Sequence, residues 1–358
     1  MQSTLRRNND SQCQSSMNLA SRVGHNSYQS SGYREASKMF MSLILINILF
    51  LLLLKLYTKL TCGICTSSQH MVGKVVIVTG GNAGIGLETA RSLAERGARV
   101  LLACRDPARG AAARDLLAAT TGNQDVHYRP LDLASLASVR QFVDHILKTE
   151  KRLDVLINNA GSTGFGFTKT EDGLVTGMQV NHFAPVLLTS LLLPLLKASA
   201  PSRIINVSSL LHTQARLRVD NLNMEKETED SFRDSDVYCN SKLCNILVAV
   251  ELARQLEGTG VTVNALHPGY VKTDILKKST KNPFLYALVW LSTMMTKDPW
   301  EGAQTSIFLT VSPEVEGVSG CYFSDCHIAN ASRKAQDREL AKKVWERSLE
   351  LVNGDKLK

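Results

Sequence analysis

No run of lysines and arginines with interleaved aromatics occurs anywhere in the 358 residues. The formal net charge of +8 is therefore dispersed, which fits an anionic cofactor or a membrane surface and argues against a nucleic-acid partner. The eight cysteines, at positions 13, 62, 65, 104, 239, 244, 321 and 326, lack a disulfide framework and the paired spacing of a zinc site. Reduced thiols in a cytosol-facing domain are the simplest reading, and no metal is expected. Nor does any internal repeat of solenoid period recur. What remains is ordinary for a folded protein, at 44% hydrophobic and 21% charged residues.

Residues 1–38 are rich in Ser, Asn, Gln and Arg without apolar period and read as a disordered polar tail. Arg6, Arg7, Arg22 and Arg34 keep a mitochondrial presequence open as the alternative, although no amphipathic helix stands out. From Met39 to Tyr57 the chain runs MFMSLILINILFLLLLKLY, interrupted only by Ser42, Asn47 and Lys55. That approaches the ~20 residues of a bilayer-spanning helix. No clear small-residue cleavage site follows, so the stretch reads as a retained single-pass anchor rather than a signal peptide. Basic residues flank it almost evenly, Arg34 and Lys38 before, Lys55, Lys59 and Lys74 after, and orientation stays open. Residues 58–72 read as a juxtamembrane linker whose Cys62 and Cys65 are free thiols or, alternatively, palmitoylation sites.

The stretch Val75 to Gly86, VVIVTGGNAGIG, organises the rest, a domain expected over residues 73–352. Four β-branched residues suit a strand buried on both faces of a parallel sheet. Gly80, Gly84 and Gly86 then allow a sharp bend and close approach, and a helix starting near Ile85 aims its free N–H groups at the same space. This outlines a pyrophosphate cradle, with a plain tight turn as the bland alternative. Downstream, strands are expected at Ala98–Cys104, Val126–Leu131, Asp154–Asn158, Arg203–Val207, Val261–Leu266 and near Gly320–Ser324. Helices alternate with them, over Asp106–Ala119, Ser135–Thr149, around Met178–Leu196, Tyr238–Leu256 and Arg338–Val352. The fold class is α/β, a doubly wound, mostly parallel sheet of Rossmann type in a single catalytic domain.

Ligands in such sheets bind beyond the carboxyl ends of the strands. Where an NAD enzyme carries an acid at the end of its second strand, this chain has Cys104 followed by Arg105. A guanidinium there can pair with a 2′-phosphate and select NADP(H); a solvated surface arginine is the alternative. Asp132 is placed to reach the adenine edge, or else to cap the third helix. Tyr238 and Lys242 are four residues apart on one helix and share a face. A neighbouring ammonium is expected to lower the phenol pKa from ~10, so that Tyr238 can exchange a proton with a carbonyl or alcohol oxygen while hydride moves at carbon.

These residues resemble the short-chain dehydrogenase/reductases over roughly Gly73 to Val352. The resemblance rests on Thr79-Gly80-x-x-x-Gly84-Ile85-Gly86, Asn158-Asn159-Ala160-Gly161, Ser209, Tyr238-x-x-x-Lys242 and Pro268-Gly269, in the family's order. The anchor, GICTSSQHMVGK, ACRD, APSRIINVSS, YCNSK, EGAQTS and YFSDC narrow it to the membrane-anchored, NADP-dependent retinol dehydrogenase group. The resemblance implies that Ser209 positions the substrate oxygen, Tyr238 is the acid/base, and Lys242 tunes the tyrosine and holds the nicotinamide ribose. Asn181 would support a proton relay through Lys242. Asn82, Ile85, Leu133, Asn158, Ala160, Gly161, Pro268 and Gly269 would join the glycines, Arg105 and Asp132 around the cofactor, with Thr273 orienting the nicotinamide carboxamide. Two bland rivals stand beside these roles: Ser208 for Ser209, and a satisfied helix polar group for Asn181.

What the resemblance implies overall is an NADP(H)-dependent enzyme interconverting an apolar alcohol, retinol before others, and its aldehyde or ketone. A steroid or fatty-aldehyde carbonyl reductase is the alternative, and a non-catalytic cofactor-binding scaffold at the membrane a more distant one. The endoplasmic reticulum is the expected location, the mitochondrion the alternative, and a homodimer is left open. The chain departs from the group after Gly161, where Ser162–Phe167 is glycine-rich and relatives carry methionines and a proline. The apolar stretch Pro283 to Trp300 reads as a lid over the substrate or as a core helix.

Overall fold

The computed structural model describes residues 40–42, 45–53, 55–271 and 296–354. Contacts divide the chain after Leu60 into two units. In the first, a helix Phe40–Leu60 has a mean hydropathy of 2.3 with none of its most apolar window buried, so it is long and apolar enough to cross a membrane. It runs past the expected end at Tyr57. A second helix, Thr176–Ala198, passes the same length test, but 67% of its apolar window is buried, which marks a core helix. Within the second unit the expected linker is partly packed down: Gly63 N–H donates to Asp325 Oδ1 at 3.2 Å, Cys65 N–H to Gln304 Oε1 at 3.1 Å, and Met71 is buried.

Alternation of strand and helix follows the order expected. Strands are β1 (Val75–Thr79), β2 (Arg99–Cys104), β3 (Val126–Pro130), β4 (Val155–Asn158), β5 (Ser202–Val207), β6 (Val261–Leu266), β7 (Tyr322–Ser324) and β8 (His327–Ile328). Helices are α1 (Gly84–Glu95), α2 (Pro107–Thr121), α3 (Leu136–Thr149), α4 (Thr176–Ala198), α5 (Asp234–Gln255), α6 (Pro299–Val311) and α7 (Arg338–Asn353). Among the described residues these strands form one sheet, ordered β3-β2-β1-β4-β5-β6-β7-β8. All neighbours are parallel except β7 and β8. Crossing from β1 to β4 reverses the direction of winding and opens the crevice in which such folds hold ligands.

Every residue of β1 is buried. Ile77 joins the core under α3, α4, α5 and α7, while Val76 and Val78 join the core under α1, α2 and α6, as the two-residue period requires. Each such aliphatic side chain contributes about 1.5–3 kcal/mol through burial. Helix starts are capped locally: Asp106, Ser135, Asp298 and Asp337 each accept from a first-turn backbone N–H. Ser135, not Asp132, therefore caps α3.

Two elements escaped the sequence reading. β8 is only two residues long, and α6 begins at Pro299 inside the stretch read as lid or core. Residues 272–295, and with them Thr273 and most of that apolar stretch, lie outside the described residues.

Helix α1 has no side-chain cap, so its first N–H groups face the glycine turn. Gly80 and Gly84 take φ of +66° and +54°, which other residues adopt only with strain. Gly86 is glycine for a different reason: a Cβ there would sit 2.4 Å from Gly80 O and 2.5 Å from Asn159 Nδ2. Gly86→Ala is expected to destabilise the fold by roughly 1–3 kcal/mol, the usual cost of overpacking. Thermal unfolding checks it, and an unchanged melting temperature would disprove the close packing.

Candidate active site

The strands end level with one another, Val78 beside Ile157, Asn158 beside Asn206 and Val207 beside Leu266. Every polar strand-end residue thus faces the same edge. At the first two of these ends the contacts are mostly backbone. Thr79 Oγ1 accepts from the N–H groups of Asn159 (2.9 Å) and Ala160 (3.0 Å), and Asn159 Nδ2 donates to Thr79 O at 2.8 Å. Asn159 and Thr79 are the residues that clamp β1 to β4 and hold the glycine turn. Sequence reasoning quoted both within motifs without giving either a role; the doubled asparagine was the available signal.

Asn158, expected beside the cofactor, turns its amide into the core. Nδ2 donates to Thr189 Oγ1 at 3.0 Å and to Asn206 Oδ1 at 2.9 Å, while Oδ1 is buried without a hydrogen bond. It ties β4, β5 and α4 together. Asp132 Oδ1 accepts from Ala134 N–H at 2.9 Å, Leu133 is buried, and Arg105 is exposed just past β2. The carboxylate next to Arg105, that of Asp106, is engaged in capping α2 at 3.1 Å. Burial pushes the Cys104 thiol up to about 11, with Asp106 adding to the effect, so no anion ends this strand at neutral pH.

Helix α5 carries the second cluster. Its Asn240, Ser241, Lys242 and Asn245 are all buried, and each finds a partner. Asn240 accepts from Arg216 N–H at 3.0 Å, and Ser241 donates to Tyr238 O at 2.8 Å. Lys242 Nζ donates to Val207 O at 3.0 Å and lies 5.6 Å from the Tyr238 ring centroid. Gly161 leaves room for it: a Cβ there would come within 3.0 Å of Nζ and 3.4 Å of Asn181 Oδ1.

Ser209 lies close enough to the Tyr238 side chain to draw its pKa down, and the serine Oγ accepts from Leu211 N–H at 3.2 Å. Its rival Ser208 is spent elsewhere, donating to Lys242 O at 2.7 Å from a buried position. Asn181 lies in a π-helical turn, Gln179–Phe183, that interrupts α4. Its amide exchanges hydrogen bonds with the backbone of Ser162 (2.9 and 2.8 Å) and reaches Ser241 Oγ at 3.3 Å. Its carbonyl accepts from Asn245 Nδ2 at 3.1 Å. Asn245 had no role in the sequence reading, and its i+3 spacing from Lys242 is the only hint the sequence holds.

One expectation reverses in sign. The Tyr238 phenol is raised, not lowered: burial is the largest influence, and the Ser209 hydrogen bond opposes it only in part. Burial also draws the Lys242 ammonium down to about 8. Spacing on a helix shows which groups are neighbours, but the cost of desolvating them depends on everything packed around the helix.

Pro268 and Gly269 lie beyond β6, where Gly269 has φ of +84° and donates its N–H to His267 Nδ1 at 3.1 Å. On the other side, the departing segment is held by Gly166 N–H to Asp234 Oδ1 (3.1 Å) and by Phe167 against Phe232, ring centroids 5.0 Å apart. The residues present fit a dinucleotide. An uncapped helix, a left-handed Gly84 whose Cβ direction is open within 4 Å, and a polar strand edge are what a pyrophosphate and nicotinamide need.

Comparison with known proteins agrees. A family model described as short chain dehydrogenase matches residues 74–219 and 227–283. Human retinol dehydrogenase 11 is 44% identical over 310 residues, covering 87% of this chain and 95% of that protein. Human retinol dehydrogenase 14 is 48% identical over 297 residues, covering 79% and 87%. Among solved structures, an uncharacterized protein from Mycobacterium Paratuberculosis superposes with a TM-score of 0.65 at 30% identity, covering 81% of this chain and 98% of its own. The Pseudomonas aeruginosa RhlG/NADP active-site complex does so with a TM-score of 0.57 at 27% identity, covering 71% and 95%. By its matched sequence and by its sheet, the chain belongs to the short chain dehydrogenase family.

Proposed function

We propose that the chain is a membrane-anchored, NADP(H)-dependent oxidoreductase that interconverts retinol and retinal, or a closely similar apolar alcohol and carbonyl. One observation carries the reading: buried Lys242 lies beside Gly161 and 5.6 Å from the Tyr238 ring, with Ser209 acting on the same phenol. A scaffold has no need of a buried lysine beside a tyrosine that a serine also influences. The names of the retinol dehydrogenase relatives support the substrate, and the NADP in the RhlG complex supports the cofactor.

Bound nicotinamide supplies the hydride for the carbonyl carbon. The chain's own residues handle the proton. Ser209 holds the substrate oxygen, and Tyr238 gives that oxygen its phenolic proton, becoming phenolate. Because burial raises the phenol above ~10, Tyr238 starts protonated at neutral pH and is set to act as an acid. That state favours carbonyl reduction. The Lys242 ammonium stabilises the phenolate as it forms, and Gly161 keeps the space it occupies open. Arg105 would pair with the 2′-phosphate; Asn82, Ile85, Ala160 and Thr273 would complete the cofactor's surroundings. The Phe40–Leu60 helix would hold the protein in a membrane where such substrates dissolve, the endoplasmic reticulum by our reading.

Three measurements test the proposal. Tyr238→Phe should lower NADPH-coupled reduction of retinal by about 10²–10⁴-fold while NADPH still binds. Unchanged turnover of retinal would sink the mechanism. Arg105→Asp should weaken NADPH by about 10–100-fold, the worth of a charge-assisted hydrogen bond, and leave NADH within about threefold. Equal effects on both nucleotides would remove Arg105 from the site. Finally, Lys242 is charged below and neutral above about 8, so reduction should fall as pH rises through that value. A flat profile up to the range of free lysine, ~10.4, would show that the ammonium has no part.

A further inference from the structure

We propose that His212 is a positioning residue: it holds the backbone of Ser209 from behind and so fixes the serine hydroxyl at the substrate. This deepens the reading above and rests on Ser209 being the substrate-holding serine. Ser209 begins a short 3₁₀ turn, Leu210–Gln214, directly beyond β5. Such turns have poorer hydrogen-bond geometry than α-helix and hold little on their own. Here the Ser209 carbonyl accepts twice from one residue, from the His212 backbone N–H at 3.1 Å and from ring Nδ1 at 2.8 Å.

The far side of the ring fixes the tautomer. Ser332 donates its backbone N–H to His212 Nε2 at 3.2 Å, so Nε2 carries the lone pair and Nδ1 carries the proton given to Ser209. His212 is buried, and burial lowers its pKa, which keeps the imidazole neutral and this arrangement intact. Tyr322, the first residue of β7 and part of the YFSDC motif that no role had absorbed, packs edge-on against it with centroids 5.1 Å apart. Its hydroxyl lies 3.4 Å from Nδ1. His267, which receives the Gly269 N–H, packs against Tyr322 with centroids 5.7 Å apart. The string His212–Tyr322–His267 thus braces the serine loop beyond β5 against the Pro268-Gly269 loop beyond β6. The sheet alone aligns these strands only as far as Val207 and Leu266.

The geometry separates the two ring nitrogens. Asparagine places an amide N–H where Nδ1 stood, whereas glutamine reaches only the Nε2 position. In full-length protein, NADPH-coupled reduction of retinal should fall about 10–100-fold in kcat for His212→Ala, with the KM for NADPH unchanged. His212→Asn should recover to within about fivefold of the parent and His212→Gln should not. In a Ser209→Ala background, His212→Ala should cost less than about twofold, because the group it positions is gone. Loss by the same factor in both backgrounds, or Asn and Gln variants that behave alike, would overturn the proposal. If His212→Ala does not fold, the Asn and Gln pair decides by the same criterion. A Ser209→Ala enzyme as fast as the parent would instead overturn the function proposed above, whatever the His212 variants do.

Discussion

Keeping an ammonium inside the protein is the constraint on which the polar cluster around α5 depends. Removing an ion from water carries an effective penalty of several kcal/mol even after relaxation, and Lys242 responds by titrating near 8. It stays because three separate elements make room and give partners. β5 ends so that the Val207 carbonyl points at Nζ, the loop after β4 supplies a residue without a side chain, and Ser208 secures the carbonyl of Lys242 itself. The π-helical turn in α4 belongs to the same solution. Pro185, four residues on, has no N–H to give the Asn181 carbonyl, and Asn245, one turn along from Lys242, supplies one instead. Each of these groups is satisfied, which matters because a half-satisfied polar cluster in a core is worse than an apolar one.

The glycine turn obeys a different rule. Its critical positions are backbone positions: left-handed Gly80 and Gly84, close-packed Gly86, and an uncapped helix start. Conformation required of the backbone leaves glycines as its trace, so the turn itself was legible in the sequence. The Tyr238–Lys242 pair was legible for a related reason, since helical period places i and i+4 side by side without reference to the rest of the molecule.

What the sequence hid were quantities that exist only after packing. The sign of the Tyr238 shift depends on how much protein surrounds the phenol, and the spacing contains no such information. Asn158 reads like a cofactor contact until Thr189 and Asn206 arrive from other elements to claim its amide. Ser208 and Ser209 are interchangeable on paper; burial beneath Lys242 O separates them. β8 is too short to show a period, and α6 opens with a capping box, Asp298 with Glu301, inside a stretch whose apolar residues drew attention elsewhere. His212 carried no signal, being one histidine among eight, and its partners Ser332 and Tyr322 lie more than a hundred residues away.

This division has a consequence for how the site is built to change. The groups proposed to move the proton lie on α4, α5 and the turn beyond β5, where Lys242, Asn181 and Ser208 each bond to another element, so a substitution there disturbs several partners at once. The rim is tied differently. Gly164 and Gly166 take φ of +77° and +68°, and beyond Ser162, which Asn181 holds, the segment is fastened by a backbone bond to Asp234 and a ring contact, Phe167 on Phe232. Asp325 fastens another loop, accepting from Gly63 N–H and pairing with Lys297, whose backbone bridges Tyr270 and Val271. On the proposed function, substitutions at Gly164, Gly166 or Phe167 would alter what borders the substrate without removing any partner of Lys242 or Ser208. The groups that this function gives to proton transfer and those that would border the substrate are thus fastened differently, the first by hydrogen bonds between buried elements and the second within loops.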